Sequence, residues 1–284
     1  MNKYLKLSEE LLEQIKNKTT LRGEMRMKAF GFDFIGQGYM VKSYRSINHD
    51  DFLSHLKKEV EFVKYYKQME NINIIDAGAN LGFYSIAYSI ISGTSVISFE
   101  PFPDTYKQLE KNITYNKISN ITALQLGLFS KKIDMPIGQP MAFNFYSFLT
   151  KIFKFTDKEQ LGCYSVYTKD KNAKNASFIK GDDCKEILEK DHIDFIKIDV
   201  EGSELEVLKG MSSTIVKHSP VLKIEFNEHS FKAAGVTNES VWNYLSKLGY
   251  KKYSICSGKG DYLNWISMEI MPSIKGSKDF LFIV

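Results

Sequence analysis

The sequence contains few cysteines, and none of them are paired in a motif. Its 284 residues include three, Cys163, Cys184 and Cys256, which are widely separated and form no CxxC pair. A disulfide framework or a thiolate zinc site is therefore not expected. This pattern is typical of a protein from a reducing compartment.

Long apolar stretches are also missing. No segment reaches the roughly 18 to 20 apolar residues that cross a membrane, and the charged start MNKYLKLSEELLEQIKNK lacks the apolar core of a signal peptide. The sequence thus predicts no membrane span and a cytoplasmic enzyme or binding protein.

Charge of one sign is not concentrated anywhere in the chain. Lys and Arg number 38 and Asp and Glu 34, a net charge of +4, and the basic residues are scattered. A nucleic-acid-binding domain usually carries a basic stripe. No NPPY-like or PCxxC-like catalytic segment is present either, so we expect no nucleic-acid partner. The oligomeric state stays open, a homo-oligomer included.

Apolar segments alternate with helical patterns from residue 73 onward. This rhythm predicts an α/β domain over residues 71–284 with a mostly parallel sheet. No clear helix joins the last two strands, so we expect them to pair antiparallel. The predicted strands are 73–77, 96–100, 121–126, 195–200, 221–226, 253–256 and 280–284, and the predicted helices are 83–91, 104–116, 203–211 and 239–248.

Two further regions flank or interrupt this rhythm. Residues 1–70 form an N-terminal extension, with a helix over 1–20, a short hairpin within 23–45 and a helix that starts at Asp50 or Asp51. An aromatic-rich, irregular insertion covers about 137–177. Such long loops are often binding surfaces. Its aromatic rings either cover a substrate or pack against each other and the sheet.

The segment INIIDAGANLG predicts a strand, a glycine turn and a helix start. Gly78 lets the backbone approach a ligand, and Gly82 lets the helix pack closely. The free N–H groups of the helix start favour an anionic or carboxylate-bearing ligand. Asp76 ends the strand. The alternative is that Asp76 only caps the turn and the glycines only shape it.

An acidic residue at the end of the next predicted strand points to a nucleoside. In α/β nucleotide sites an acid at that position binds ribose hydroxyls, and Glu100 in SFEP occupies it. A dinucleotide site usually carries GxGxxG, which is absent, and Asp76 would repel a pyrophosphate. S-adenosylmethionine has a sulfonium and an ammonium group, so it fits better than a nicotinamide dinucleotide, the cofactor of an oxidoreductase.

Two later segments place acids at neighbouring strand ends. Asp199 and Glu201 end the strand of DFIKIDVEGSELEVLKGM, where Ser203 and Glu206 predict a capping box. Glu225 ends the strand of SPVLKIEFNEH. The alternatives are acids that interact only with the helix dipole and a Glu225 that pairs with a lysine.

These acids and a nearby histidine suggest two ways to activate a hydroxyl group. His229 could act alone as a general base, because its ordinary pKa lies near neutrality. Alternatively, Asp199 and Glu225 could hold Mg²⁺ or Mn²⁺, which would acidify a bound hydroxyl. His229 could equally be a plain surface residue.

Together these segments resemble the FkbM family of S-adenosylmethionine-dependent methyltransferases. The resemblance rests on DAGANLGFYS, FEPFP, DFIKIDVEGSELEVLKGM and VLKIEF, and it covers about residues 72–250. It implies a class I methyltransferase fold, which is Rossmann-like, with seven strands of which the last is antiparallel. It also implies methyl transfer to oxygen, often to a hydroxyl of a sugar or a natural product.

The resemblance also implies roles for individual residues. Asp76, Gly78, Asn80 and Ser85 would line the methionine end of the donor, Glu100 would bind the ribose, and Gly127 would lie near the adenine. The expected acceptor is a small molecule or glycan, such as a nucleotide-linked sugar or a polysaccharide precursor. The alternatives are a natural product as acceptor, and a methyltransferase-like binding module without catalysis.

Overall fold

The computed structural model describes residues 24–29, 31–37, 49–67, 70–138, 164–256 and 262–284. The helix predicted over residues 1–20 and the aromatic residues of the insertion before Tyr164 lie outside these ranges. None of the helices within the described ranges combines the length and apolarity needed to cross a membrane.

Thirteen strands and eight α-helices are found in the described residues. The strands are β1 (Glu24–Ala29), β2 (Phe32–Gln37), β3 (Ile72–Ala77), β4 (Thr94–Phe99), β5 (Ile121–Leu124), β6 (Gly127–Leu128), β7 (Ile133–Ile137), β8 (Lys174–Ile179), β9 (Phe195–Ile198), β10 (Val221–Asn227), β11 (Lys252–Ile255), β12 (Ile266–Ser267) and β13 (Ser277–Ile283). The helices are α1 (His49–Lys67), α2 (Phe83–Ser89), α3 (Pro103–Tyr115), α4 (Lys185–Leu188), α5 (Glu204–Gly210), α6 (Ser212–His218), α7 (Glu228–Ala234) and α8 (Asn238–Lys247).

The central sheet has the strand order β12-β11-β13-β10-β9-β3-β4-β5. From β10 to β5 all neighbours are parallel, whereas β13 runs antiparallel to both β10 and β11. All seven predicted strands are present, and the expected class I methyltransferase fold is confirmed. The structure adds β12, whose two residues are too few to produce a recognisable sequence pattern.

Alternate residues of the central strands are buried in two separate hydrophobic cores, one on each face of the sheet. Ile74 and Val96 face one core, which α1 and α2 cover, and Ile75 and Ile97 face the other, which α5, α6 and α8 cover. Successive side chains of a strand point to opposite faces, so a sheet covered on both sides needs apolar residues at every position. This explains the nearly continuous apolar runs in the predicted strands.

The N-terminal segments that the structure describes are packed onto the domain. The predicted hairpin is confirmed as β1 and β2, and the predicted helix is confirmed as α1. Leu56, Val60 and Val63 of α1 are buried in the same core as the sheet. Phe34 of β2 stacks on Phe83, with ring centroids 4.3 Å apart. The helix α1 is thus a structural part of the domain.

A second sheet consists of β6, β7 and β8. Its strands β7 and β8 lie at the start and at the end of the insertion that the sequence predicts to be irregular. β8 pairs antiparallel with β7 and parallel with β6, so the prediction of irregular structure was wrong over 174–177. The segment KNASFI has few apolar residues, and its strand partner lies about 40 positions earlier, so its local pattern was weak. Gly138 and Ser165 exchange two backbone hydrogen bonds, 3.1 and 2.8 Å long, and so join the two ends of the insertion.

A close crossing of backbones makes Gly78 sensitive to substitution. Its φ is +83°, and a Cβ atom there would lie 1.9 Å from the carbonyl oxygen of Asp199. We expect Gly78→Ala to lower the free energy of unfolding by roughly 3 to 5 kcal/mol, since strain and clash add. Gly235→Ala is the control, because its φ is +68° but nothing lies within 4 Å. It should cost about 1 kcal/mol.

Chemical denaturation of both variants measures the difference. Equal losses of stability in the two variants would mean that the crossing at Gly78 imposes no constraint beyond the backbone conformation.

Candidate active site

A cavity of about 300 Å³ opens at the carboxyl ends of the central strands. Ligand sites of open α/β sheets lie at this edge. Of the eleven residues that the sequence predicts to bind the donor, bind a metal or act in catalysis, seven line the cavity and four do not. Those in the lining are Gly78, Asn80, Glu100, Gly127, Asp199, Glu201 and Glu225, and those outside it are Asp76, Gly82, Ser85 and His229.

The glycine turn is held against the neighbouring strand β4. The backbone N–H groups of Gly78 and Ala79 both donate to the carbonyl oxygen of Phe99, at 3.0 and 2.9 Å. Asn80 has a φ of +52°, a conformation that Asn tolerates better than most residues. Gly82 precedes α2 and packs against Leu109, which places it behind the turn.

Asp76 and Ser85 lie beneath the cavity and are completely buried. Ser85 Oγ donates to Asp76 Oδ2 at 2.6 Å, and Ser98 Oγ donates to Ser85 Oγ at 2.7 Å. The other carboxylate oxygen of Asp76 lies 3.4 Å from Lys197 Nζ. Lys197 lines the cavity. Asp76 and Ser85 themselves do not reach the cavity, but Asp76 pairs with Lys197 and so helps to position it.

Glu100 presents a fixed carboxylate to the cavity. Its two oxygens accept hydrogen bonds from the backbone N–H groups of Asn80 and Phe102, each at 2.9 Å. Burial raises the pKa of Glu100 to about 7, even though both hydrogen bonds favour the ionised form. The side chain therefore cannot rotate away from the cavity without leaving two N–H groups unpaired.

One end of the cavity is apolar and lies between the two sheets. Gly127 lines it, and a Cβ atom at that position would lie 2.2 Å from the ring of Phe178. Tyr164 stacks on Phe102 with ring centroids 3.7 Å apart. Leu128 completes this apolar end, which suits a flat, uncharged ring.

The other end of the cavity is acidic. Asp199, Glu201 and Glu225 bring one carboxylate oxygen each to within 4.8 Å of one another. Glu225 accepts a hydrogen bond from Ser277 Oγ at 2.6 Å, but its Oε2 is buried without a hydrogen-bond partner among the described residues. Burial and the charges of Asp199 and Glu201 raise the pKa of Glu225 well above its ordinary value.

Sequence reasoning missed a fourth acid at this end. Asp279 of β13 lines the cavity and pairs in register with Glu225 of β10. No local signal marks it, because only the antiparallel insertion of β13 between β10 and β11 brings it to this edge.

Two buried lysines lie among these acids and were not predicted as site residues. Lys197 and Lys223 are register neighbours on β9 and β10. Lys197 Nζ lies 3.3 Å from Asp199 Oδ2 and 4.7 Å from the ring centroid of Tyr84. Lys223 Nζ lies 4.2 Å from the same centroid. Burial alone would lower the pKa of Lys197, but Asp199 and Asp76 outweigh it and raise the pKa.

Glu204 holds the loop that carries Asp199 and Glu201. Its carboxylate oxygens accept from the backbone N–H groups of Val200 and Gly202, each at 3.0 Å. Glu201 and Gly202 both have positive φ, 52° and 104°, so this clamp fixes an uncommon backbone turn. Burial raises the pKa of Glu204 to about 8.

The predicted capping box was wrong. Ser203 makes no side-chain cap hydrogen bond, and Glu206 instead bonds Ser130 and Lys209. The role of Glu204 was not predicted. The signal that could have indicated it is the segment DVEGSE, in which this acid follows Gly202 by two positions and so lies close to the backbone of the turn.

His229 lies on α7 with an exposed side chain, outside the cavity lining. Its backbone N–H donates to Asn227 Oδ1 at 3.2 Å, which caps the helix. The structure thus does not bring this histidine to the acids at the strand ends.

The doubly wound sheet, the glycine turn and the clamped acid that follows β4 define a class I methyltransferase. The sequence profile described as the methyltransferase FkbM domain matches residues 76–252, more than half of the chain. The chain therefore belongs to the FkbM methyltransferase family.

Curated relatives carry methyltransferase names. Methyltransferase sdnD of Sordaria araneosa is 32% identical over 156 residues, 49% of this chain and 60% of the relative. Hexuronic acid methyltransferase AglP of Haloferax volcanii is 30% identical over 173 residues, 61% of this chain and 60% of the relative. The chain thus spans about three fifths of the length of each.

Solved structures resemble the chain more distantly. Methyltransferase FkbM from Methylobacillus flagellatus KT has a TM-score of 0.46 at 18% identity, covering 87% of this chain and 55% of its own. TYW2 of M. jannaschii in complex with AdoMet has a TM-score of 0.44 at 14% identity, covering 92% and 84%. Both likenesses are too distant to carry a functional argument.

Removing the Glu204 clamp should loosen the acidic loop. We expect Glu204→Ala to lower the free energy of unfolding by about 2 to 4 kcal/mol, because two buried N–H groups lose their acceptor. Hydrogen exchange at Val200 and Gly202 should accelerate in parallel. The control is Glu239→Ala, since Glu239 lies in the first turn of α8 but is exposed. It should cost about 0.5 kcal/mol. Unchanged exchange at Val200 and Gly202 would contradict the clamp.

Proposed function

We propose that the protein is an S-adenosylmethionine-dependent O-methyltransferase that methylates a hydroxyl group of a carbohydrate. The observation that carries this proposal is that the cavity at the strand ends has two chemically different ends. One end is apolar and is bordered by the clamped carboxylate of Glu100, and the other collects carboxylates. A nucleoside-containing donor fits the first, and a hydroxyl-bearing acceptor fits the second.

Donor binding would use the turn and the strand ends on either side of it. Glu100 is placed to accept hydrogen bonds from both ribose hydroxyls, because its own two N–H partners fix its orientation. Adenine would lie at the apolar end, near Gly127. Asn80 and Gly78 line the path toward Lys197, where the charged methionine part of the donor would lie.

The donor supplies an electrophilic methyl group, and the chain's residues must hold and deprotonate the acceptor. Asp199 and Glu201 are the proposed catalytic residues, because they line the cavity at the acceptor end. With Glu225 they could also hold Mg²⁺ or Mn²⁺, which prefer oxygen ligands. Glu225 Oε2 is buried and has no hydrogen-bond partner within the part of the chain that the structure describes, which supports this assignment. A cation there would lower the pKa of a bound hydroxyl.

The carbohydrate acceptor is supported by the chemistry of the acidic end and by one relative. Carboxylate oxygens accept hydrogen bonds, and a sugar offers several hydroxyl donors on one face. AglP, which is named as a hexuronic acid methyltransferase, matches 61% of the chain. A nucleotide-linked sugar or polysaccharide precursor is the proposed class. A natural-product acceptor is the second candidate, because the family resemblance implies methyl transfer to either class of hydroxyl and the name of methyltransferase sdnD specifies no carbohydrate.

Calorimetric titration with S-adenosylhomocysteine, with and without a chelator, tests the donor end first. Micromolar binding in both conditions is the expected result. Transfer of a labelled methyl group from S-adenosylmethionine to a panel of nucleotide sugars, with Mn²⁺ present, then tests the reaction. Failure to bind S-adenosylhomocysteine under either condition would refute the proposed donor site, and binding without transfer to any hydroxylated acceptor would favour a non-catalytic binding module.

Affinity for S-adenosylhomocysteine should rise with pH around neutrality. With a pKa of about 7, Glu100 is mostly protonated at pH 6 and mostly ionised at pH 8. Only the ionised form can accept from both ribose hydroxyls while it keeps its two N–H partners. We expect about a tenfold gain in affinity between these pH values.

Calorimetry at both pH values measures this gain, and Glu100→Gln is the control. The variant should bind more weakly and show no such rise. The same rise in Glu100→Gln would assign the pH dependence to another group.

Cation binding should depend on the acidic end of the cavity and not on the donor end. We expect Asp199→Asn to lower the affinity for Mn²⁺ at least tenfold, because one charged ligand is lost, and to change S-adenosylhomocysteine affinity by less than about threefold. Asp134→Asn serves as the control, because Asp134 is exposed on β7, lies outside the cavity lining and accepts a hydrogen bond from Ser177 Oγ at 2.6 Å. Equal Mn²⁺ affinity in both variants would remove Asp199 from the cation site.

A further inference from the structure

The helix α1 lies outside the matched family region, yet its residue Glu59 pairs with a lysine next to the acidic end of the cavity. The match begins at residue 76, and Glu59 of α1 is completely buried. Glu59 Oε2 lies 2.6 Å from Lys223 Nζ, and Glu59 Oε1 accepts a hydrogen bond from Tyr88. A buried carboxylate with two strong partners is a specific contact, since an acid is rarely buried without them.

Lys223 stands between this carboxylate and the acidic end of the cavity. Its ammonium group lies 3.6 Å from Asp279 Oδ2 and 3.2 Å from the hydroxyl of Tyr84. Lys223 precedes Glu225 by two positions on β10, so both side chains point to the same face of the sheet. Asp279 is the register neighbour of Glu225. The lysine therefore has acids on two sides.

The two sides hold the ammonium group unequally. The contact of 2.6 Å to Glu59 is a charge-assisted hydrogen bond, whereas 3.6 Å to Asp279 is an ion pair beyond hydrogen-bond length. Without Glu59, the buried ammonium would have to be neutralised by the remaining acids, because an unpaired buried charge is very costly. Glu225 offers a buried oxygen that accepts no hydrogen bond from any residue in the described ranges.

We propose that Glu59 is a positioning residue, which holds the Lys223 ammonium group back from Glu225 and so keeps it from occupying the Glu225 oxygen that, with Asp199 and Glu201, would bind a divalent cation. This inference rests on the proposed function of those three acids. It makes α1, which lies outside the family region, a part of the acceptor end of the site. Glu59 does not line the cavity and acts only through Lys223.

Titration of the full chain with Mn²⁺ alone tests the proposal. We expect Glu59→Gln to weaken Mn²⁺ binding at least tenfold and to leave S-adenosylhomocysteine affinity within about threefold of the unchanged protein. Lys223→Met added to Glu59→Gln should restore Mn²⁺ affinity to within about threefold. A loss of packing would not be repaired by removing a second side chain, so this rescue separates charge from structure.

Two further variants serve as controls. Glu61→Gln lies on the same helix, but Glu61 is exposed and pairs with Lys57 at 3.7 Å, so Mn²⁺ affinity should not change. Glu59→Asp keeps the carboxylate and should retain more Mn²⁺ affinity than Glu59→Gln. If Glu59→Gln fails to fold, Glu59→Asp carries the test, because its shorter side chain holds Lys223 less closely, so that this variant should bind Mn²⁺ more weakly than the unchanged protein does. Unchanged Mn²⁺ affinity in Glu59→Asp would then contradict the proposal.

Several outcomes would overturn the proposal. These are unchanged Mn²⁺ affinity in Glu59→Gln, a double variant that binds Mn²⁺ at least tenfold more weakly than the unchanged protein, or no Mn²⁺ binding by the unchanged protein. S-adenosylhomocysteine titration reports on the donor end separately. Donor binding without Mn²⁺ binding would leave the methyltransferase proposal standing and remove this inference alone.

Discussion

The pairing of two buried lysines with surrounding carboxylates is the interaction on which the rest of the site depends. Asp76 on β3, Asp199 after β9 and Asp279 on β13 lie at one edge of the sheet. Their charges would repel each other in a medium of low dielectric constant. Lys197 lies between the first two, and Lys223 contacts the third. These two cations offset the repulsion among the acids that the sheet edge holds next to its apolar core.

The same pairing explains why one side of the sheet is apolar along most of its length and polar at its end. Asp76, Lys197 and Lys223 are register neighbours across β3, β9 and β10. The next residues outward on the same face, Asp199 and Glu225, reach the cavity. Each strand thus contributes apolar residues to the core first, then a charge that is neutralised, then a group that faces a ligand.

The division of the cavity into two ends follows from the arrangement of the two sheets. The small sheet of β6, β7 and β8 covers the side near Gly127 with apolar residues, and β10 and β13 border the opposite side with acids. Glu100 lies on the border, fixed by two backbone N–H groups. A ligand that spans the cavity would therefore meet apolar surface, then a fixed acceptor for hydroxyl groups, then charge.

The central sheet, the glycine turn and the acids of the two motifs could be predicted from the sequence, because each is encoded by residues close together in the chain. Apolar runs of strand length, Gly78 and the DVEG segment all give local signals. The sequence did not predict the second sheet or the exposed position of His229, and it gave no sign of three charged residues around the site, Lys197, Asp279 and Glu59. Their partners are distant in sequence, and strand register and helix docking, which no local pattern encodes, bring the charges together.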